Sequence, residues 1–529
     1  MITILDYGAG NVRSVRNAIR KLGCEVKDAI SAADILSADK LIFPGVGSFG
    51  LVMSQLENDG FVEPLRQRIS ENRSFLGICV ALQAFFEGSE ETPGTPGLGI
   101  LKGQVTRFSD NELSVPHIGW NGIKLHKDCS LFSNFQGEKL YFVHSYHGAV
   151  KDVPEQWKLA TTDYGEEFIS AICLGNVAAF QFHPEKSGDA GLSILQRFLE
   201  DDEIVITRAA HGSAEDRTEL AKRIIACLDV RSNDSGDLVV TKGDQYDVRE
   251  EGEVRNLGQP VELAHRYFRE GADEITFLNI TGFRDFPLSD QPMLDVLRQT
   301  SEKVFVPLTI GGGIREFTDS NGTFHSALDV ASEYFRSGAD KISIGSDAVY
   351  AAENYIRDGK SDGSSSIEQI SRVYGAQAVV ISVDPRRVYV TSPEDTPHNT
   401  TPTDFPGPNG ECYCWYQCTV KGGREGRDFD VIQLVTACEK LGAGEILLNC
   451  IDKDGTNSGF DLELINHVKS FVTIPVIASS GAGSADHFYE VFSRTGAEAA
   501  LAAGIFHRQE VEISSVKETM EKFHIVVRR

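Results

Sequence analysis

A cysteine follows a short apolar run and precedes a helix-compatible stretch in Ser74-Phe75-Leu76-Gly77-Ile78-Cys79-Val80-Ala81-Leu82-Gln83. A strand-to-helix turn of this kind exposes one side chain and aims the first helical N–H groups at it. Gly77, two before the cysteine, and Ala81, two after, are small enough for such a turn to close. The same stretch also describes a buried structural thiol, since free cysteine is among the most buried residue types. A nucleophilic cysteine needs a base, and the base needs an orienting acceptor on its second ring nitrogen. His183-Pro184-Glu185, closing the apolar segment Val177–Phe182, supplies both on one side of an extended stretch. With the Pro44-Gly45-Val46-Gly47 loop after an earlier strand, these residues favour nucleophilic chemistry at Cys79 over a structural thiol.

A second set lies in the other half of the chain. Asp229 closes Ile225-Ala226-Cys227-Leu228, and Asp384 closes the similar Val380-Ile381-Ser382-Val383. Paired carboxylates at strand ends can divide general acid and general base work, although a strand-end aspartate can also cap the next turn. Asp454, in Ile451-Asp452-Lys453-Asp454-Gly455-Thr456, is balanced between those two roles. Glycine-rich ends recur as echoes. Gly311-Gly312-Gly313 is matched by Ser480-Gly481-Ala482-Gly483, and Gly345-Ser346 by Ala503-Gly504. Free N–H groups at such ends hold anions without basic side chains. Two cradles at matching places predict a ligand with a phosphate at each end. Cys412, Cys414 and Cys418 form the one cysteine cluster; with no second set or nearby histidine, strand-side thiols are expected and no metal.

The elements that must carry these residues fall into two series. Strand-like Met1–Leu5, Lys40–Phe43 and the run ending at Cys79 alternate with helical spacing, as in Val12–Leu22. A doubly wound parallel sheet is expected, with its site at the strand C-terminal ends; β-rich segments follow from Gly97 to about Phe182. After an acidic, polar connector, apolar runs begin at Lys222, Glu274, Val304, Lys341, Ala378, Glu445, Pro475 and Ala499. Eight of them over roughly 300 residues fit a (β/α)8 TIM barrel with a half-barrel repeat. The expected domains are 1–203, a 204–220 linker and 221–529. The stretches near Asp362–Ser366 and Ser392–Gly410 are expected to be surface loops.

Composition limits the partners. The chain has 529 residues, enough for several cores, and a net charge of −26. That charge argues against nucleic acid or an anionic membrane. Ten cysteines at this length point to a reducing compartment rather than a disulfide scaffold. No uncharged apolar run reaches the roughly 18 residues of a membrane span. The expected location is the cytoplasm, with a plastid as the alternative if a transit peptide precedes this chain.

Residues 1 to about 200 resemble class I glutamine amidotransferases of the triad type. Asp6-Tyr7-Gly8-Ala9-Gly10-Asn11, Pro44-Gly45-Val46-Gly47 and Pro116-His117-Ile118-Gly119-Trp120-Asn121 resemble the glutaminase of the imidazole glycerol phosphate synthase family, and residues 221–529 its cyclase. The single-chain arrangement resembles the eukaryotic form. The resemblance implies that Cys79 attacks the carboxamide of L-glutamine, His183 moves the proton and Glu185 orients the imidazole. It places Gly45, Val46, Gly47, Val80, Gln83, Ser145 and Tyr146 around the glutamine and its oxyanion. In the barrel it implies catalysis by Asp229 and Asp384. Lys242, Gly312, Gly313, Ser346, Thr419, Asp454, Gly481 and Gly504 are then contacts to a bisphosphorylated ribonucleotide. Arg223, Glu274, Lys341 and Glu445 become a charged gate on an ammonia passage; from the residues alone, ordinary solvated or ion-paired strand ends are the lesser alternative. No cofactor is implied, and a monomeric fusion is expected. A sugar-phosphate isomerase would share the barrel but needs no nitrogen, and a glutamine-binding regulator would not need the complete Cys79, His183 and Glu185 set.

Overall fold

The computed structural model describes residues 1–529 apart from 9, 111–112, 208–217, 233–237, 242–248, 251–252, 255, 281–287, 289–291 and 320. In the N-terminal part an eight-stranded sheet holds parallel strands in the order Val26–Asp28, Ile2–Ile4, Lys40–Phe43, Phe75–Ile78, Val177–Phe180. Antiparallel Glu167–Leu174, Lys158–Asp163 and Lys124–Leu125 extend it. Every residue of Phe75–Ile78 is buried, which is why the sequence there is apolar without alternation. The edge strand Val26–Asp28 is half exposed and polar, so no apolar run announces it. Asn11 caps the helix Val12–Lys21, its side chain accepting the Ser14 N–H at 3.1 Å.

The second part is a closed barrel of eight parallel strands: β1 (Arg223–Ser232), β2 (Glu274–Asn279), β3 (Leu308–Gly311), β4 (Lys341–Ile344), β5 (Val379–Val383), β6 (Glu445–Asn449), β7 (Val476–Ser479) and β8 (Ala499–Ala502). Arg223 of β1 pairs with Ala499 of β8, which closes the ring. Ile225 stands opposite Glu274 and Val380 opposite Glu445, so the two halves share one register. Inside, Ile225, Cys227, Val380, Leu447, Ile477, Ala499 and Leu501 form a small apolar cluster.

The Ser392–Gly410 stretch lies largely at the surface as expected, but it carries one short strand. Thr400–Pro402 pairs with Tyr413–Val420, which also pairs with Pro385–Val390 and Glu425–Asp430, making a four-stranded antiparallel sheet between β5 and β6. Two β-branched threonines at the pairing positions outweigh the turn-forming residues around them. Cys414 and Cys418 are buried on this sheet.

The first part sits on the end of the barrel where the strands begin. Trp120 Nε1–H donates to the Asp273 carbonyl at 3.1 Å, just before β2. Before β4, Asp340 accepts from Asn11 Nδ2 at 2.7 Å and pairs with Lys186 Nζ at 2.6 Å. Ser48 N–H donates to the Val373 carbonyl at 3.1 Å. Ile118, Trp120 and Tyr141 are buried in the same apolar core as the barrel helices. Burial of two such aromatic rings contributes on the order of several kcal/mol to docking.

Two candidate active centres and the ring between them

Cys79 sits at φ 53°, ψ −109°, between the strand Phe75–Ile78 and the helical turn Val80–Gln83. A non-glycine residue at positive φ costs on the order of 1–3 kcal/mol and persists only where its surroundings enforce it. Here Cys79 N–H donates to the Phe180 carbonyl at 2.7 Å. A Cβ on Gly77 would lie 3.2 Å from the Ala81 methyl, so the turn accommodates alanine at 81 because glycine stands at 77. Gly45 is tighter still, since its Cβ would lie 1.9 Å from the Ile78 carbonyl oxygen and 2.6 Å from Val80 N. The Gly45–Gly47 loop thus lies directly against the elbow.

His183 Nδ1 and Glu185 Oε1 are 2.8 Å apart, both side chains buried. Burial alone would lower the imidazole pKa, but the Glu185 carboxylate and a hydrogen-bonding Cys79 sulfur outweigh it and hold His183 well above its usual range. Gln181, not singled out from the sequence, donates to Cys79 Sγ at 3.5 Å. Gln83 Nε2 donates to the Tyr146 carbonyl at 2.9 Å, so Gln83 and Tyr146 are brought together, with Ser145 buried beside them. Val46 is tied down. Its N–H donates to Tyr7 Oη, and Tyr7 Oη–H donates back to the Val46 carbonyl, each at 2.7 Å. An N–H engaged in this way is not aimed at an oxyanion.

Arg223, Glu274, Lys341 and Glu445 form a closed ring with no exposed surface. Lys341 Nζ lies 2.7 Å from Glu274 Oε1 and 2.7 Å from Glu445 Oε2, and Arg223 pairs with both carboxylates. Burial would raise the Glu445 pKa, yet Arg223 and Lys341 hold it below the usual carboxylate range. Removing one member of such a cluster leaves an uncompensated buried charge, at about 3–5 kcal/mol. Tyr141, also missed in the sequence, links the ring and His183. Its carbonyl accepts His183 N–H at 2.9 Å, and its buried hydroxyl, pushed toward high pKa by burial and by Glu274, lies beside the ring.

At the opposite end of the barrel is a cavity of about 620 Å³, within the range of small-ligand sites. Asp229, Asp384 and Asp454 line it with Gly312, Gly313, Ser346, Gly481 and Gly504. Gly312 and Gly481, at matching places in the two halves, have φ of 89° and 96°. A Cβ on either would come within 2.2 Å of a backbone carbonyl oxygen, of Asn279 and Gly459 respectively. Only glycine fits there. Thr419 is not a lining residue; its hydroxyl donates to the Asp384 carbonyl at 2.7 Å and fixes the backbone of that aspartate. Lys242 falls outside the described residues. Arg315, Lys421, Arg424 and Arg508 add cationic groups that sequence reasoning passed over, all four outside the strands. Asn449, at the end of β6, donates to Asp384 Oδ1 at 2.9 Å. Burial raises the Asp384 pKa, partly offset by that hydrogen bond, and Asp454 adds to the rise.

The geometry defines a class: a triad glutamine amidotransferase unit joined to a barrel with matching glycine turns at the cavity-lining ends of its two halves. Residues 3–201 match the family described as "Glutamine amidotransferase class-I", and residues 223–512 that described as "Histidine biosynthesis protein". Imidazole glycerol phosphate synthase hisHF, chloroplastic, of Arabidopsis thaliana is 59% identical over 532 residues, covering 100% of this chain and 89% of the relative. The hisHF protein of Schizosaccharomyces pombe is 57% identical over 542 residues, 100% of both chains. The HisF subunit of the same enzyme in Haloarcula marismortui is 41% identical over 309 residues, 58% of this chain and 99% of that one. The chain belongs to the imidazole glycerol phosphate synthase family in its fused, bifunctional form.

Proposed function

We propose that this enzyme hydrolyses L-glutamine at Cys79 and passes the ammonia through the barrel to a bisphosphorylated ribonucleotide. That substrate is N′-phosphoribulosyl-formimino-AICAR ribonucleotide; the products are imidazole glycerol phosphate, for histidine synthesis, and AICAR. The reading rests above all on one observation: the buried ring of Arg223, Glu274, Lys341 and Glu445 stands between the Cys79–His183–Glu185 centre and the cavity lined by Asp229 and Asp384. Free ammonia would be protonated and lost to water, so a nitrogen donor and acceptor on opposite sides of a barrel with an apolar interior fit a single coupled reaction.

In this reading His183 takes the Cys79 thiol proton and Sγ adds to the glutamine carboxamide carbon, with Glu185 holding the imidazole. His183 gives its proton to the leaving nitrogen, ammonia departs and a thioester remains. Water then breaks the C–S bond, releasing glutamate and restoring the thiol. The Val80 N–H and the Gly45–Gly47 loop stabilise the oxyanion, a contact worth about 3 kcal/mol of barrier. The Tyr7–Val46 contact supports a resting state in which that loop is not yet set. The ring acts as the ammonia gate. In the barrel Asp229 and Asp384 share acid and base work, and the paired glycine ends hold one phosphate each, with Lys242, Ser346 and Asp454 as further contacts.

The domains are taken as 1–203 and 221–529 around a 204–220 linker, the active species as a monomer, and the location as the cytoplasm, which cell fractionation checks. No described helix is long and apolar enough to cross a membrane. The deciding experiment follows glutamate and AICAR with the bisphosphate ligand present and absent. Ligand-stimulated hydrolysis with one AICAR per glutamate supports the synthase; isomer without nitrogen uptake, or no turnover, overturns it.

A further inference from the structure

The shared register of the half-barrels exposes one place where they differ in kind. Asp229 on β1 stands opposite Leu278 of β2, four residues after Glu274. In the other half Val383 pairs with Leu448, so the next pair is Asp384 with Asn449, four residues after Glu445. One aspartate therefore has a leucine neighbour, the other an asparagine. Asn449 Nδ2 donates to Asp384 Oδ1 at 2.9 Å and to Ser382 Oγ at 3.1 Å. A carboxylate accepts only from the amide nitrogen, which fixes the orientation of the carboxamide. Both N–H groups are then used, and Oδ1 is the polar atom Asn449 has left for the cavity it lines.

What surrounds this oxygen is uneven. On β1, β2 and β8 the lining of the cavity includes Cys227, Leu278 and Leu501. On β4 and β5 it is Ser343, whose buried hydroxyl has no partner, and Ser382, already bound to Asn449. Ser343 is two residues along β4 from Lys341 of the ring, about 7 Å at strand spacing. A small molecule rising from the ring thus meets the unpartnered Ser343 hydroxyl on the side that leads through Ser382 to Asn449 and Asp384.

We propose that Asn449 is the positioning residue for ammonia in the barrel: its Oδ1 accepts one ammonia N–H beside Asp384 and turns the nitrogen lone pair toward the substrate. Ammonia has three donors and one lone pair, so an acceptor behind it leaves the lone pair free for attack, whereas a donor there would consume it. Leucine at the matching place beside Asp229 has no such capacity, so the two aspartates take different tasks.

The inference rests on the reading of Asp384 as a catalytic residue, which Asp384→Asn tests separately: product formation from either nitrogen source would overturn that reading. For Asn449 the molecule supplies its own substitution, Asn449→Leu, the residue of the other half. With the full chain, saturating bisphosphate and ammonium chloride in place of glutamine, the KM for ammonia is expected to rise about tenfold, the scale of one hydrogen bond. The Kd for the bisphosphate, by fluorescence titration, stays within about twofold. Asn449→Ser, whose hydroxyl can still accept, is expected to show a smaller rise, and it carries the test if the leucine variant does not fold. An unchanged KM for ammonia, with or without a lower kcat, overturns the proposal, because mere support of Asp384 would act on kcat alone. Equal losses in ammonia KM and bisphosphate Kd also overturn it.

Discussion

At the Cys79 centre the charged side chains are held by other side chains, whereas the barrel mouth combines strand-end carboxylates and cationic loop side chains with glycine turns. His183 keeps its proton because Glu185 and the sulfur are within hydrogen-bonding reach. Asp384 has one amide donor, and burial dominates its acidity. The first arrangement tolerates no loss of a member; the second distributes its hold over turns that only glycine can make. Replacing a side chain should therefore silence the first centre, and adding a methyl should damage the second.

The largest effect is expected for Cys79→Ala: glutamine-driven product formation falls by at least about 10⁴-fold, while ammonia-driven turnover persists. Coupled and ammonia-driven assays on one preparation measure both. Glu185→Gln should lower glutamine hydrolysis by roughly 10² to 10⁴-fold. Because that carboxylate raises the His183 pKa, its loss lets the imidazolium give up its proton at lower pH, so the alkaline limb of the kcat/KM profile moves down. A limb that stayed in place or moved up would remove Glu185 from the comparison. Gly481→Ala, with its Cβ 2.2 Å from the Gly459 oxygen, should weaken bisphosphate binding by roughly 10 to 100-fold in a direct titration.

Two smaller effects concern the connection between the centres. Lys341→Met leaves Glu274 and Glu445 with Arg223 as the cation they share and should lower stability by about 3–5 kcal/mol in denaturant titration. The yield of product per glutamate should also fall, and an unchanged yield would count against the ring as a gate. Tyr7→Phe keeps the ring packing on Phe43 but releases the Val46 peptide. Hydrolysis without bisphosphate should rise a few-fold; no change would mean that Tyr7 does not restrain the loop.

Much of this was legible in the residues because it is local. The elbow requires small residues at fixed offsets from Cys79, and barrel strands covered on both faces read as apolar runs. The fused two-domain architecture and its family follow from those patterns. The half-barrel echo also survived, since register repeats where sequence does. What was not legible depends on packing between distant segments. Tyr7 is a polar aromatic in a glycine turn until Val46 lies against it, and Tyr141 is one aromatic in a β-rich stretch until Glu274 is near. Asn449 looks like an ordinary strand end until the register sets it beside Asp384. The Thr400–Pro402 strand was hidden for the same reason, its partner lying some residues further on.

The connector has a consequence of its own. Ile206–Thr207 pairs with Asp128–Cys129, and Ala221 N–H donates to the Trp120 carbonyl at 2.8 Å, two residues before Arg223 opens the barrel. The tether is thus anchored on the glutaminase at both ends of the stretch between them. A two-chain version of the same machine would lose its partner on dilution; here docking is unimolecular, set by an effective concentration fixed by the tether. Nitrogen transfer per molecule should therefore be the same at nanomolar and at micromolar protein, with no association constant entering the rate.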